Sequence, residues 1–145
     1  MEQLFATSDS WAITIIRVTL GVIMFGHGAQ KVLGWFGGYG LKGTTGYMTS
    51  IGIPLPVAYL ACFTEFLGSI ALVLGLLTRL GALGVAAVMV GAIVKVHLPN
   101  GFFMNWDLSP GKGHGFETNL ALLAMALACV IAGGGALSID RLLVH

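Results

Sequence analysis

Arg17-Val18-Thr19-Leu20-Gly21-Val22-Ile23-Met24-Phe25-Gly26-His27-Gly28-Ala29-Gln30-Lys31 is the stretch on which the reading of this chain turns. It lies inside an apolar run from Trp11 to Trp35, long enough to cross a bilayer. Yet it carries Arg17, His27 and Lys31. A charge at the centre of a membrane costs roughly 2.5–3.5 kcal/mol on insertion scales, and such residues usually face a bundle interior or a water-filled cavity. At 3.6 residues per turn, Arg17, Gly21, Met24, Gly28 and Lys31 share one helix face. His27 lies about 40° from Lys31 on the same side.

The rest of the chain repeats this pattern. Of its 145 residues, 57% are apolar and only 9% are charged, where roughly 25% charged is usual for a soluble domain. Mean hydropathy is +0.92. A soluble helical protein is the reading this disfavours, and a net charge of +1 offers no footprint for nucleic acid. The expected fold is an all-α membrane protein, a single domain over residues 1–145. Four transmembrane helices form an antiparallel bundle over Trp11–Trp35, Val57–Leu77, Gly81–Leu98 and Phe116–Ala132.

Ser8-Asp9-Ser10 supplies capping residues ahead of the first helix. The N-terminus has acidic residues Glu2 and Asp9 and no Lys or Arg in its first ten positions. It does not read as a signal peptide. Residues 36–56 are rich in glycine and proline, with a short surface helix expected over Thr44–Ile51. Thr78-Arg79-Leu80 reads as the tight turn between the second and third helices. A second polar, glycine-rich loop runs from Asn100 to Gly115, and Ser138-Ile139-Asp140-Arg141 reads as a capping turn at the membrane surface. Four spans place both termini on one side with Arg79, and the two long loops on the other. The expected orientation has the termini in the cytoplasm. Leu-Gly-Val recurs in helices one and three, and a glutamate in helices two and four (Glu65, Glu117). This is either a faint parallel repeat or chance similarity between glycine-rich helices.

The remaining charges also sit on stripes of small residues: Glu65 with Ala58, Ala61 and Ser69; Lys95 with Gly91 and Gly84; Glu117 with Ala121, Ala124 and Ala128. Small residues permit close helix approach in lipid, so the charges are expected to face inward. Helix-rise arithmetic puts His27 and Glu65 at similar depth, and they are read as contacting partners and as the catalytic or proton-passing pair. Lys31, Lys95, His97 and Glu117 fall nearer the loop side as ligand-binding groups, with Trp35 and Trp106 among the aromatics that could roof the cluster. Arg17 lies deeper and is read as structural, in an ion pair reaching towards Glu65 or snorkelling.

Plainer readings stand beside these. Lys31 and Lys95 could snorkel at the interface, Glu117 could only start a helix, and the aromatics could form an interfacial belt. The Glu65 and His27 contacts could be a structural ion-pair knot. Cys62 and Cys129, both in apolar runs, read as inert buried thiols. No Cys/His spacing reads as a metal site.

Arg17-x-x-x-Gly21, His27-Gly28-x-x-Lys31, Trp35-Phe36-Gly37-Gly38, Glu65 followed by Gly68, Leu74-Gly75-Leu76-x-Thr78-Arg79, Gly101-Phe102-Phe103, the glutamate opening helix four and Ser138-Ile139-Asp140 together resemble the DoxX family of small bacterial membrane proteins. The resemblance covers nearly the whole chain. It implies a multi-pass inner-membrane protein and membrane-linked redox chemistry involving quinone or thiol stress. No nucleotide fingerprint or Cys-x-x-Cys is present, so electrons would come through a quinone, another cofactor or a soluble redox partner. Three functions follow as expectations: a quinone-linked oxidoreductase or its membrane subunit, a non-enzymatic scaffold for soluble redox enzymes, and a small proton-coupled transporter or channel. The last would require a homo-oligomer.

Overall fold

A computed structural model describes residues 2–144. Its helices are α1 (Glu2–Phe5), α2 (Trp11–Val32), α3 (Gly40–Ser50), α4 (Leu55–Leu74), α5 (Thr78–Ala92), α6 (Glu117–Ala132) and α7 (Ile139–Val144). Beyond Ala92, α5 continues through a π turn at Ile93–His97 and a 3-10 turn at Leu98–Asn100. The continuous segment Thr78–Asn100 is 23 residues long, and with α2 and α4 it makes three helices long and apolar enough to span a membrane. The fourth apolar helix, α6, is shorter at 16 residues.

α2 packs on α4 and α6, and α5 packs on the same two helices, so the four close into a ring. Leu20, Met24, Leu72, Val85, Met89, Leu122, Ala126 and Cys129 fill its centre. The outside is apolar: Ile15, Val22, Leu60, Leu67, Leu83 and Ile131 are all exposed. Such a surface belongs in lipid, and the chain is a helical membrane protein. α1 meets α7 at one end, so both termini lie together, as the four-span reading requires.

The helix ends differ from expectation for local reasons. α2 stops at Val32, and Gly34, at φ +71°, turns the chain away. Trp35 therefore lies outside the helix. α3 is longer than expected and begins at Gly40. The turn between α4 and α5 falls at Gly75–Leu77, three residues before the expected Thr78–Leu80. Gly75 and Leu77 both adopt left-handed backbone, at φ +67° and +50°. A leucine there costs energy. The Asp140 carboxylate supports it by accepting hydrogen bonds from the amides of Leu77 and Thr78 at 2.6 and 2.8 Å. It thereby caps α5 from the far end of the chain, which is more than the surface capping turn expected for residues 138–141.

Arg17 is fully buried at this end. Its guanidinium donates to the carbonyls of Gly134 (2.8 Å), Val73 (3.0 Å), Leu72 and Leu137. This corrects the expected ion pair: among the described residues no carboxylate lies within salt-bridge distance of Arg17. The physical reason is that α4 and α6 both end here, leaving carbonyls short of helical donors, although Leu72 also accepts the Gly75 amide at 3.3 Å. A planar group with five N–H donors can satisfy several at once. Arg79 does the same on a smaller scale, donating to the carbonyls of Ala6 and Val130 at 3.1 and 2.8 Å.

Candidate functional site: a groove and an ion pair on the loop side

α4 and α5 touch most closely through small residues. A Cβ on Gly68 would lie 3.2 Å from the Gly81 carbonyl oxygen, and one on Gly84 would lie 2.6 Å from Thr64 Cγ2. Towards the loop side the contact opens. A Cβ on Gly91 would meet nothing within 4 Å. The gap is a cavity of about 620 Å³, within the range of small-molecule sites.

Three helical faces line it. Val57, Leu60, Ala61, Thr64 and Glu65 come from α4; Gly84, Ala87, Val88, Gly91 and Ala92 come from α5; Thr44, Tyr47 and Met48 come from α3, with Ile51 just past its end. Each set follows the three-and-four spacing of a single helix face. Leu60, at 67% exposed, stands at the rim on the outer surface of α4. The cavity is therefore a groove that opens sideways towards lipid. Lys95 and His97 line its loop-side end. Both lie on the π turn, an irregularity often found at functional sites.

The charged feature of the groove is the ion pair between Lys31 Nζ and Glu65 Oε2. Glu65 is 1% exposed, whereas the Lys31 side chain is 34% exposed. Gly28 makes the pair possible. A Cβ there would lie 2.7 Å from the Phe66 backbone, so α2 and α4 approach closely just beside it. Cys62 also lines the groove, one turn before Glu65. Cys129 is buried on α6.

The expected site residues divide. Lys31, Glu65, Lys95 and His97 do meet at one cavity. His27 does not: it is exposed on α2, and the partner of Glu65 is Lys31. The 40° between His27 and Lys31 suffices to carry the imidazole off the α2–α4 contact. Glu117 also lies elsewhere. It accepts the Met104 amide at 3.2 Å and ties the 101–116 loop to the start of α6. That loop is further closed by hydrogen bonds from Gly115, Phe116 and Glu117 to Phe103, Gly101 and Phe102. It packs on itself rather than over the groove. Accordingly Trp106 is 74% exposed and Trp35 53% exposed, and neither lines the cavity. Thr44, Tyr47 and Met48 were missed, although their spacing was the available signal.

A family model described as DoxX matches residues 12–98. A Bacillus subtilis (strain 168) protein named "Putative oxidoreductase CatD" is 31% identical over 126 residues, covering 87% of this chain and 82% of that protein. The inner membrane protein YphA of Escherichia coli (strain K12) is 30% identical over 145 residues, covering 94% of each. The inner membrane protein YqjF of the same organism is 30% identical, covering 90% of this chain and 91% of its own length. No solved structure matches.

Proposed function

This chain belongs to the DoxX family, and on that premise we propose that it binds a quinone-like ligand from the bilayer and supports membrane-linked redox chemistry on it. The supporting observation is the groove itself. It is apolar over most of its wall, open towards lipid, and bears the Lys31–Glu65 pair on its inner side with Lys95 and His97 at one end. A flat apolar ring with carbonyl or hydroxyl substituents has the matching chemistry. The ring would lie against Ala61, Ala87 and Gly91, and an ammonium would face a ligand oxygen. The name of the Bacillus relative points to redox work. Electrons would pass to or from the ligand through a soluble redox partner or a second quinone. The proposed setting is the bacterial inner membrane, as for the two Escherichia relatives, with both termini in the cytoplasm.

The test is extraction and binding. Protein purified in native lipid should release a quinone into organic solvent, detected by mass spectrometry. It should also bind 2-methoxy-1,4-naphthoquinone in nanodiscs. Gly91→Phe places a ring where a Cβ meets no atom within 4 Å, so it should fill the groove, leave the bundle folded and abolish both signals. Absence of extracted quinone together with absence of binding by the wild-type chain would overturn the reading. Co-purification of a soluble enzyme that survives Gly91→Phe but is lost on substituting Trp106 would favour the scaffold role instead.

A further inference from the structure

A second, smaller cavity of about 250 Å³ lies on the other side of Lys31, lined by Gln30, Gly37, Gly38, Tyr39, Thr44 and Tyr47. Tyr39 is 87% exposed and sits in the loop before α3, so this cavity faces the loop-side water. Lys31, Thr44 and Tyr47 line both cavities. The Lys31 ammonium, partly exposed, therefore stands in the wall between an aqueous vestibule and a lipid-facing groove. Its partner Glu65 is buried and lines the groove alone of the two cavities.

We propose that the Lys31–Glu65 pair is a proton-exchange gate between the aqueous vestibule and the groove, and that the groove's ligand is accordingly one with an ionisable ring hydroxyl. This rests on the proposed quinone-like ligand and adds to it a route for the proton. The ligand O–H bond breaks as its proton passes to a Glu65 carboxylate oxygen. Lys31 releases a proton to vestibule water and takes the one held by Glu65, which restores the pair. The net change is one ligand hydroxyl converted to its anion and one proton delivered to water, with no electron moved.

The surroundings suit this exchange. Lining the groove with the pair are Tyr47 on α3, Cys62 on α4, and Lys95 and His97 on the π turn, with Tyr39 lining the vestibule. Among the described residues Lys95 has no carboxylate within salt-bridge distance. Lys31 is already matched by Glu65, so Lys95 leaves a cation at the groove for the ligand anion.

The test uses two probes on protein in nanodiscs. 2-Methoxy-1,4-naphthoquinone cannot ionise and reports binding alone. 2-Hydroxy-1,4-naphthoquinone changes its visible absorbance on ionisation, and stopped-flow pH jumps read how fast the bound probe exchanges its proton. Lys31→Arg keeps the positive charge but holds its protons too tightly to pass them on. Measured at saturating probe, so that any change in affinity is set aside, it should ionise the hydroxy probe at the same pH and slow its exchange at least tenfold. Gln30→Leu, which strips a polar group from the vestibule wall at a residue that does not line the groove, should slow exchange in the same sense with methoxy binding kept. Exchange in Lys31→Arg as fast as in wild type, with methoxy binding intact, overturns the gate and leaves the quinone reading standing. Failure of the wild-type chain to bind either probe overturns both.

Discussion

The two ends of the bundle each hold a cation, buried at one end and partly exposed at the other, and treat it in opposite ways. At the terminal end, Arg17 is enclosed by four backbone carbonyls from Leu72, Val73, Gly134 and Leu137. At the loop end, Lys31 has one carboxylate partner and borders two cavities. Carbonyls are fixed in place and cannot take up protons, so a guanidinium among them holds helix ends together. A carboxylate–ammonium pair beside open space can change protonation and can meet a ligand. A charge within a membrane segment therefore carries no single meaning. What surrounds it decides whether it serves folding or chemistry.

Removing the terminal-end cation should have the largest effect on folding. Arg17→Met removes a donor from four acceptors, of which Leu72 keeps the Gly75 amide. A buried acceptor left unsatisfied costs about 1–3 kcal/mol, so the loss should exceed ~3 kcal/mol and show as a large fall in unfolding temperature in detergent or as loss of protein from the membrane. A variant unfolding at the wild-type temperature would show that water or lipid headgroups reach these carbonyls and that the two ends are less different than they look. A smaller loss is expected at the α2–α4 contact. Gly28→Ala puts a Cβ 2.7 Å from the Phe66 backbone, which cannot move without shifting α4. Overpacking of this kind costs about 1–3 kcal/mol. The variant should also separate Lys31 from Glu65, so probe exchange should change together with stability.

The loop-end pair should be nearly dispensable for folding when both members are removed. Replacing buried ion pairs by apolar groups is often neutral or stabilising, whereas leaving one charge alone costs roughly 3–5 kcal/mol. Lys31→Met alone should therefore destabilise strongly. The double variant Lys31→Met with Glu65→Leu should unfold within about 1 kcal/mol of wild type yet exchange no proton with the bound probe. If the double variant is as unstable as the single one, the pair belongs with Arg17 as structure.

The fold was largely readable because hydropathy and helical period are local properties. The four apolar segments, and the inward stripes carrying Arg17, Lys31 and Glu65, follow from residues within a few turns of one another. The partners were not readable, because they depend on how the helices rotate against each other. The choice between His27 and Lys31 for Glu65 rests on a few tens of degrees about the α2 axis, set by where Gly28 lets α4 approach. Asp140 as the cap of α5 was invisible for a different reason. The capping side chain is 62 residues away from the amide of Thr78, and nothing near Leu77 announces the lack of a local cap. The loop aromatics misled because exposed tryptophans at the ends of membrane helices fit an interfacial belt as well as a ligand roof, and Trp35 and Trp106 stay outside the groove.

The smallest predicted effect on stability separates the open groove of the loop end from the closed helix contact beside it. Glycines at tight contacts and the glycine in the groove are the same residue type on the same kind of helix, but they meet different surroundings. Gly91→Ala adds a methyl group into space where no atom lies within 4 Å. In an exposed helix interior alanine is favoured over glycine by roughly 0.5–1 kcal/mol. The variant should therefore be slightly more stable than wild type, by thermal unfolding in detergent, where Gly28→Ala is less stable. Its affinity for the methoxy probe should fall only a few-fold, since a methyl group narrows the groove without filling it, and Gly91→Phe should then remove binding altogether. Graded loss of binding against rising or unchanged stability is the signature of a glycine kept for a ligand rather than for a neighbouring helix. Equal destabilisation by Gly91→Ala and Gly28→Ala would mean that the groove closes on a helix in the membrane, and that its open face is a packing surface.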